Sequence, residues 1–321
     1  MDWDNYTDTG MLNAAEDFHS CSHGAIKPTY MIDSDGGRIL HTVSLGDESR
    51  LHITREVYDR LSDTAVPSPD VVHDAADQTV PYLVVEAVDG DNPETTYSDM
   101  PVDEKASFSY QAGHALGEAH RALRTESAGT LDGTGDGIEI RDADWDTLLT
   151  GHMRDKIDYL RETELDSALL DDAEQLVDTI EDELDAPDEP GIIHLDYRPG
   201  NLMWDDGDVT AVLDWDNARA GDQLYDYVNA ETSFVENAPE KHQDNVRQSF
   251  RQGYEDAGQI VDEDRLYETY RYLSLLSKTK GLLYVNEEYS AGREQRAERF
   301  TEAFKEQQPQ LMARYGIEEE R

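Results

Sequence analysis

A β hairpin set among helical segments is the feature of this sequence that most restricts its fold. The stretches GIIHLDYRPGNLMW at 191–204 and DVTAVLDW at 208–215 each contain a short strand-like run. The first stretch contains a polar turn, in which Pro199 has a fixed φ angle and Gly200 can adopt backbone conformations that other residues avoid. Apolar residues recur at helical spacing on both sides of the hairpin. We therefore predict a helical unit built around an embedded hairpin.

The first part of the chain has a different pattern, with short strand-like runs around one helix. The helix is indicated by apolar side chains at helical spacing in 48–61. Asp35, Gly36 and Gly37 form a hairpin signal between the first two runs. A polar segment at 89–101 then separates this part from the rest. The strand-like runs are 28–33, 38–44, 70–73 and 80–88.

From about Val102 onward the pattern is mainly helical, apart from the hairpin and a Gly-rich stretch at 126–137 that we expect to be a loop. These patterns predict an α+β protein with two lobes. The N-terminal lobe, 1–90, would contain a small antiparallel sheet, and the C-terminal lobe, 91–321, would be mostly helical. The predicted helices of the second lobe are 105–123, 144–162, 165–184, 222–235, 240–257, 262–285 and 291–307.

Asp196, Asn201 and Asp214 form a set that suits phosphate chemistry. Phosphoryl transfer needs a divalent cation on the phosphates, an acid that orients the attacking hydroxyl, and a cradle for the triphosphate. Mg²⁺ takes a few oxygen ligands and keeps waters and phosphate oxygens for the rest, which one Asn carbonyl and one Asp carboxylate can supply. Asp196 lies five residues before Asn201, so its carboxylate can face the same cavity without binding the metal.

The sequence around this set resembles the aminoglycoside phosphotransferase family, which is similar to choline, homoserine and fructosamine kinases and, more distantly, to protein kinases. The family pattern is roughly H-G-D-x-x-x-x-N, followed by I-D-W-x-x-x-x-x-G-D-x-x-x-D. This chain reads H-L-D-Y-R-P-G-N at 194–201 and L-D-W-D-N-A-R-A-G-D-Q-L-Y-D at 213–226. The resemblance covers nearly the whole chain and implies a protein-kinase-like, two-lobed fold.

The resemblance implies a role for each matching residue of the loop. Asp196 is similar to the catalytic base, and Asn201 and Asp214 are similar to the Mg²⁺ ligands. His194 matches a residue that supports the loop, with proton transfer as the alternative. Arg198 matches a position that contacts the transferred phosphoryl group, with a surface ion pair as the alternative.

Other residues near the loop are interpreted as structural. Asp226 resembles the helix acid that holds the catalytic loop by its backbone N–H groups, and Asp222 would cap the start of that helix. His120, in GEAHRAL, matches a Leu-His pair of the family and is interpreted as a packing residue. Solvated surface acids are expected at Asp205, Asp206, Asp208 and Asp216.

In the first lobe, the resemblance implies a phosphate-binding loop and a cation. Gly24 and Lys27 lie in a segment whose backbone N–H groups could cradle phosphate, although it lacks a G-x-G-x-x-G pattern. His41 stands where the family has a lysine, and Glu56 in the following helix would pair with it and keep it charged. Lys27 or Arg38 is the alternative source of positive charge. A further alternative is that His41 is an ordinary strand residue and that the alignment with the family is two positions off.

The run 83–90 resembles the hinge that joins the two lobes in this family. Glu86 and Val88 are the residues whose backbone groups would contact adenine there. Because backbone atoms would make these contacts, the identity of the side chains carries little information.

The net charge of the chain indicates the salt concentration to which it is adapted and the kinds of partner that it can bind. Its 72 acids and 27 bases give a net charge of −45, spread along the whole chain. We interpret this as the surface of a protein from a salt-rich cytoplasm, as in halophilic archaea; an acidic surface that recruits cations or a basic partner is the alternative. Nucleic acid is not expected as a partner, because its phosphates would be repelled.

Neither a disulfide nor a membrane segment is expected. Cys21 is the only cysteine, so no intrachain disulfide can form. The N-terminal residues do not resemble a signal peptide, and no stretch reaches the roughly 18 apolar residues that a spanning helix needs. We therefore expect a cytoplasmic protein without a membrane partner, and no protein partner is evident.

The combined prediction is an ATP- and Mg²⁺-dependent kinase that phosphorylates a hydroxyl of a small molecule such as an amino sugar, an amino alcohol or a sugar-like metabolite. Acids and tyrosines of the C-terminal helices would suit a cationic acceptor, but these residues also fit a helix core and a generally acidic surface. The alternative is a kinase-like binding or regulatory protein with impaired catalysis, because His41 replaces the expected lysine.

The charge excess predicts that stability depends on salt. The screening length falls from about 10 Å at about 0.1 M salt to about 3 Å at about 1 M, so repulsion among the acids weakens strongly over this range. We expect Tm, measured by circular dichroism, to rise steeply with KCl, and the protein to unfold or aggregate in dilute buffer. An unchanged Tm and full activity in dilute buffer would contradict the salt-adapted interpretation.

Overall fold

The computed structural model describes residues 17–21, 29–33, 38–42, 48–77, 81–259, 261, 265–283 and 293–317. The strands are β1 Asp17–Cys21, β2 Thr29–Asp33, β3 Arg38–Thr42, β4 Val71–Ala75, β5 Tyr82–Glu86, β6 Gly129–Thr134, β7 Gly137–Asp142, β8 Pro190–Ile193, β9 Leu202–Asp205, β10 Asp208–Val212 and β11 Arg219–Asp222. The helices are α1 Glu48–Leu61, α2 Val102–Ala122, α3 Trp145–Leu160, α4 Ser167–Glu181, α5 Gln223–Asn237, α6 Glu240–Asp256, α7 Arg265–Leu283 and α8 Arg293–Tyr315.

The N-terminal part is an antiparallel sheet with one helix. Its five strands lie in the order β1-β2-β3-β5-β4, and every neighbouring pair is antiparallel. Helix α1 buries Leu51, Val57 and Leu61 completely, which accounts for the apolar spacing that predicted it. The remaining elements are mostly helical, so the predicted α+β class with a small antiparallel sheet is confirmed.

The embedded hairpin is formed by β9 and β10, which pair antiparallel from Asp208–Asp205 at the turn to Val212–Leu202 at the open end. The polar segment after β5 is attached to this hairpin. The backbone N–H of Asp91 donates to the Trp204 carbonyl at 2.9 Å, and the Trp204 N–H returns a bond of 3.0 Å. Gly90, with φ of 114°, turns the chain here, where a Cβ atom would lie 2.7 Å from the Trp204 carbonyl oxygen. The two parts of the chain are therefore joined next to the hairpin.

Three details differ from the sequence-based expectation. The stretch 126–137, expected to be a loop, contributes β6 and the first residue of β7, which pair from Gly129–Asp142 to Thr134–Gly137. Its glycines suggested a loop, but contact with α1 stabilises the hairpin. The short strands β1 and β11 were not predicted. Helix α8 continues past the expected end at 307 to Tyr315, with Pro309 inside it.

The described residues contain no helix that is both long enough and apolar enough to cross a membrane.

Helices α2 and α6 pack so closely that their interface requires glycine. A Cβ atom at Gly113 of α2 would clash with the carbonyl oxygen of Phe250 in α6. The backbone cannot yield there without separating the two helices, and Phe250 is completely buried.

We predict opposite effects of the same substitution at two helical glycines. Gly113→Ala should lower the free energy of unfolding by about 1–3 kcal/mol through overpacking. Gly151→Ala, in α3, is the matched control because a Cβ atom there meets nothing within 4 Å. It should raise the free energy of unfolding by about 0.5–1 kcal/mol, since alanine favours helix. Urea titrations at high salt would measure both, and equal effects would contradict the described helix contact.

Candidate active site

The loop 194–201 is held by one buried carboxylate, that of Asp226 in the first turn of α5. Its Oδ2 accepts the backbone N–H of His194 at 2.7 Å, and its Oδ1 accepts that of Leu195 at 2.8 Å. Leu195 has φ of 64°, a left-handed conformation that is unfavourable for a residue with a side chain. The paired bonds to Asp226 offset this strain and set the direction of the loop. The predicted role of Asp226 is confirmed by these contacts.

A second group fixes Asp226 itself. His120 of α2 contacts Asp226 Oδ2 through Nε2 at 3.1 Å, and its Nδ1 lies 2.8 Å from the Tyr254 hydroxyl. Burial alone would raise the pKa of Asp226, but the hydrogen bond and charge of His120, with the bond from His194, outweigh it and the pKa lies below its usual value. His120, expected to be a packing residue, is therefore part of a buried polar network that supports the loop.

His194 is a buried positioning residue. Its Nε2 lies 2.9 Å from the carbonyl oxygen of Leu213, which can only accept a hydrogen bond. Its Nδ1 lies 3.3 Å from the backbone N–H of Asp196, which can only donate. The tautomer with the proton on Nε2 satisfies both contacts. His194 thus connects the loop to the residue that precedes Asp214, and the structure favours support of the loop over proton transfer.

Asp196 and Asn201 face each other across the turn. The Asn201 side-chain Nδ2 donates to the Asp196 carbonyl oxygen at 2.8 Å and to its carboxylate Oδ2 at 3.0 Å. Asn201 is almost completely buried, whereas the Asp196 side chain is 34% exposed. The amide oxygen of Asn201 must point away from Asp196, because its nitrogen makes both bonds. This arrangement leaves one exposed carboxylate at the edge of a rigid turn.

Arg198 forms an ion pair with two acids. Its Nε lies 3.3 Å from Asp196 Oδ2, and its Nη1 pairs with Glu94 of the segment that follows β5. Burial would lower the pKa of Arg198, but Asp196 and Glu94 raise it, so the guanidinium stays charged. A Cβ atom at Gly200 would clash with the Glu94 carboxylate, so a larger residue there would displace this ion pair.

Asp214 lies at the open end of the hairpin, next to Asn201. The backbone N–H of Leu213 donates to the Asn201 carbonyl at 2.8 Å, which fixes the two segments side by side. Asp214 adopts a left-handed conformation with φ of 65°, and its Oδ1 is buried. The loop and the hairpin therefore bring Asp196, Asn201 and Asp214 to one place.

Helix α1 contacts the segment after Asp214 through one face. The Thr54 hydroxyl donates to Asp216 Oδ1 at 2.6 Å, and burial together with the Asp214 carboxylate raises the pKa of Tyr58. Asp216 is 4% exposed, so the expectation that it is a solvated acid is wrong. The other three acids of that group, Asp205, Asp206 and Asp208, are exposed as expected.

The oxygen ligands at this place fit Mg²⁺. Asn201 offers an amide oxygen and Asp214 a carboxylate, both hard ligands of the kind that Mg²⁺ prefers. Within the described ranges no three His, Cys, Asp or Glu side chains form a metal site of their own. The two residues would therefore hold Mg²⁺ together with phosphate oxygens and waters rather than in an all-protein cage.

The structure does not bring Glu56 to this place. It lies two positions from both Thr54 and Tyr58 on α1, which puts it on the opposite side of the helix. In the described part of the chain Glu56 contacts Arg60 at 3.0 Å and Arg55 at 3.6 Å. Its expected pairing with His41 stays a prediction.

The structure describes only some of the other residues that were predicted to bind the nucleotide. His41 lies in β3, a strand that the sequence predicted, and it pairs with Leu83 of β5. Glu86 ends β5 and donates its backbone N–H to the Asp70 carbonyl at 2.9 Å, so that donor is already used. Val88 follows in the segment between β5 and Gly90. Gly24 and Lys27 lie outside the described residues, in the connection from β1 to β2.

We predict that Asp226→Asn destabilises the protein in a pH-dependent way. An asparagine would turn its NH₂ group toward one of the two loop N–H donors, so the loss should be about 3 kcal/mol near neutral pH. Because the pKa of Asp226 in the folded state lies below its usual 3.8, the stabilisation is present above that value and is lost as the pH falls through the folded-state pKa. The difference between variant and wild type should therefore shrink in acid.

Asp222→Asn is the matched control, one turn earlier. Asp222 caps α5 by accepting the Leu224 N–H at 2.8 Å, as predicted, and asparagine caps nearly as well. Burial raises the pKa of Asp222, the reverse of Asp226. Asp222 Oδ2 also accepts the Tyr270 hydroxyl, so the substitution should cost about 1 kcal/mol in urea titrations between about pH 3 and 7. Equal losses for both variants would contradict the proposed role of Asp226.

Comparison with known proteins identifies the family. The model of the family described as "Phosphotransferase enzyme family" matches residues 17–272. Hygromycin-B 4-O-kinase of Escherichia coli is 24% identical over 225 residues, which span 68% of this chain and 62% of that enzyme. The chain thus matches a little under two thirds of the length of this curated relative.

Solved structures share the fold. Aminoglycoside phosphotransferase APH(4)-Ia, as a thermostable mutant in a ternary complex with ADP and hygromycin B, has a TM-score of 0.64 at 20% identity, over 96% of this chain and 97% of that one. The gentamicin complex of APH(2")-IIa has a TM-score of 0.59 at 15% identity, over 99% of both chains. The predicted kinase-like fold is therefore confirmed, and the chain belongs to the phosphotransferase enzyme family.

Proposed function

We propose that this chain transfers the γ-phosphate of ATP to a hydroxyl of a small molecule, with Asp196 as the base and Asn201 and Asp214 as the Mg²⁺ ligands. The observation that carries the proposal is that Asp226 and His194 hold the loop of Asp196 and Asn201 against Leu213, the residue before Asp214. Mg²⁺, when bound, would neutralise charge on the phosphates. Membership of the phosphotransferase family supports the same reaction.

The two carboxylate oxygens of Asp196 have different roles in this proposal. Oδ2 accepts from Asn201 Nδ2 and lies next to Arg198, so it fixes the orientation of the group. We assign Oδ1 to the acceptor hydroxyl. It takes the hydroxyl proton as the new bond to the γ-phosphorus forms and the bond from that phosphorus to the leaving oxygen of ADP breaks.

Arg198 would contribute positive charge during the transfer. It lies beside Asp196 and is partly buried, and Glu94 holds its other side. A guanidinium in this position can interact with the transferred phosphoryl group while Glu94 keeps it in place. Glu94 is thus a positioning residue, and the two alternatives weighed for Arg198, ion pair and phosphate contact, are compatible.

For the acceptor we propose only a chemical class. The names of the relatives refer to hygromycin B and gentamicin, both acted on or bound by those proteins. Because these relatives are at most 24% identical, we infer from them only the class of reaction, which is transfer to a small hydroxylated acceptor. They do not identify the acceptor of this chain.

We predict that Asp196→Asn lowers kcat by about 10²–10⁴-fold, the contribution expected of a general base, while Mg·ATP still binds. ADP release at high salt would measure turnover across a panel of alcohols, and calorimetry would measure nucleotide binding. Asp208→Asn, at an exposed acid in the hairpin, is the control and should keep wild-type kcat.

Wild-type turnover by Asp196→Asn would show that the base has been assigned wrongly. If the wild-type protein binds Mg·ATP but phosphorylates no alcohol, the alternative drawn from His41, a kinase-like binding protein, would be favoured instead.

A further inference from the structure

We propose that Lys278 of α7 binds an anionic group of the acceptor, so that the substrate carries a carboxylate or a phosphate near the hydroxyl that is phosphorylated. This proposal rests on the proposed function and narrows the class of acceptor. An acceptor site that contains only acidic side chains would instead favour a cationic acceptor.

Successive turns of α7 are joined to the active-site loop and its supports. The Tyr270 hydroxyl donates to Asp222 Oδ2 at 2.7 Å, at the start of α5. One turn later, the Ser274 hydroxyl donates to Asn229 Oδ1 at 2.9 Å. Asn229 in turn donates through Nδ2 to the carbonyl oxygen of Leu195 at 2.8 Å. These bonds hold one face of α7 against the residue that precedes Asp196.

Lys278 is the residue one turn beyond Ser274 on this face. Its side chain is partly buried, and its amine interacts electrostatically with Asp196, Arg198 and Asp226. Burial lowers the pKa of Lys278 to about 8, against the effect of the two carboxylates, so the amine is still mostly protonated at neutral pH. The Lys278 amine is therefore near the carboxylate of Asp196, which we assign to the acceptor hydroxyl.

A partly buried lysine beside the proposed base is unusual in a chain with so few lysines and so many acids. Only seven of its 321 residues are lysine, against 72 acids. Arg198, the other cation of the site, is already paired with Asp196 and Glu94. The Asp196 and Asp226 carboxylates offset only part of the cost of burying the Lys278 ammonium group, because its pKa stays lowered in their presence. A cation at this place would repel an amino group of an acceptor and attract a carboxylate or phosphate.

The test compares acceptors that share hydroxyl groups and differ in charge. ADP release with Mg·ATP at high salt would be measured for sugar acids such as gluconate, sugar phosphates such as glucose 6-phosphate, neutral sugars and polyols, and amino sugars including hygromycin B. The proteins would be wild type, Lys278→Gln, Lys278→Arg and, as the control, Lys241→Gln at an exposed lysine of α6.

We expect the anionic acceptors to have the highest kcat/KM with the wild type. Lys278→Gln should lower their kcat/KM by about ten- to a hundredfold, mainly through KM, and leave the neutral acceptors little changed. Lys278→Arg should retain most of the preference, and Lys241→Gln all of it. The comparison of sugar acids with sugar phosphates identifies which anion is recognised.

Three results would overturn the proposal. The first is an amino sugar or neutral acceptor with the highest kcat/KM whose use is unaffected by Lys278→Gln. The second is an equal loss for all classes of acceptor, which would make Lys278 only a support for Asp196. The third is the absence of turnover on every acceptor by the wild type, which would reject the proposed kinase function as well.

Discussion

The candidate site depends on the two hydrogen bonds that the Asp226 carboxylate accepts from the backbone of His194 and Leu195. A buried, ionised carboxylate is costly, and it is stable here because backbone N–H groups and His120 satisfy it. In return, it holds Leu195 in a left-handed conformation that the residue would not adopt alone. The direction of the following residues, and hence of Asp196, follows from that turn.

The remaining geometry extends from this loop through backbone contacts. His194 bonds the carbonyl of Leu213, Leu213 bonds that of Asn201, and the pairing of β9 with β10 brings the start and end of the hairpin together. Asn201 and Asp214 therefore converge although thirteen residues separate them. The segment after β5 is attached to the loop through the Glu94–Arg198 pair and to the hairpin through the Asp91–Trp204 bridge. The two parts of the chain therefore meet at the site.

Features that depend on local sequence patterns could be predicted, whereas contacts between distant residues could not. Helix α1 and the roles of Asp222 and Asp226 were predicted because each depends on periodicity, on an N-cap or on a motif at fixed spacing. The bonds of Glu94 and Thr54 could not be predicted, because they join residues 104 and 162 positions apart. The position of Lys278 depends on the course of a whole helix. The face of α1 that meets the segment after Asp214 carries Thr54 and Tyr58, and the pairing of Glu56 with His41 stays a prediction.

The dependence of nucleotide binding on Mg²⁺ tests the central claim most directly. Calorimetric titration of ATP, with and without Mg²⁺, would compare the wild type with Asp214→Asn at high salt. If Asn201 and Asp214 form the metal site, Mg²⁺ should strengthen ATP binding to the wild type, and the variant should lose most of that gain. Equal affinity with and without Mg²⁺, or a variant that responds to Mg²⁺ like the wild type, would contradict the account.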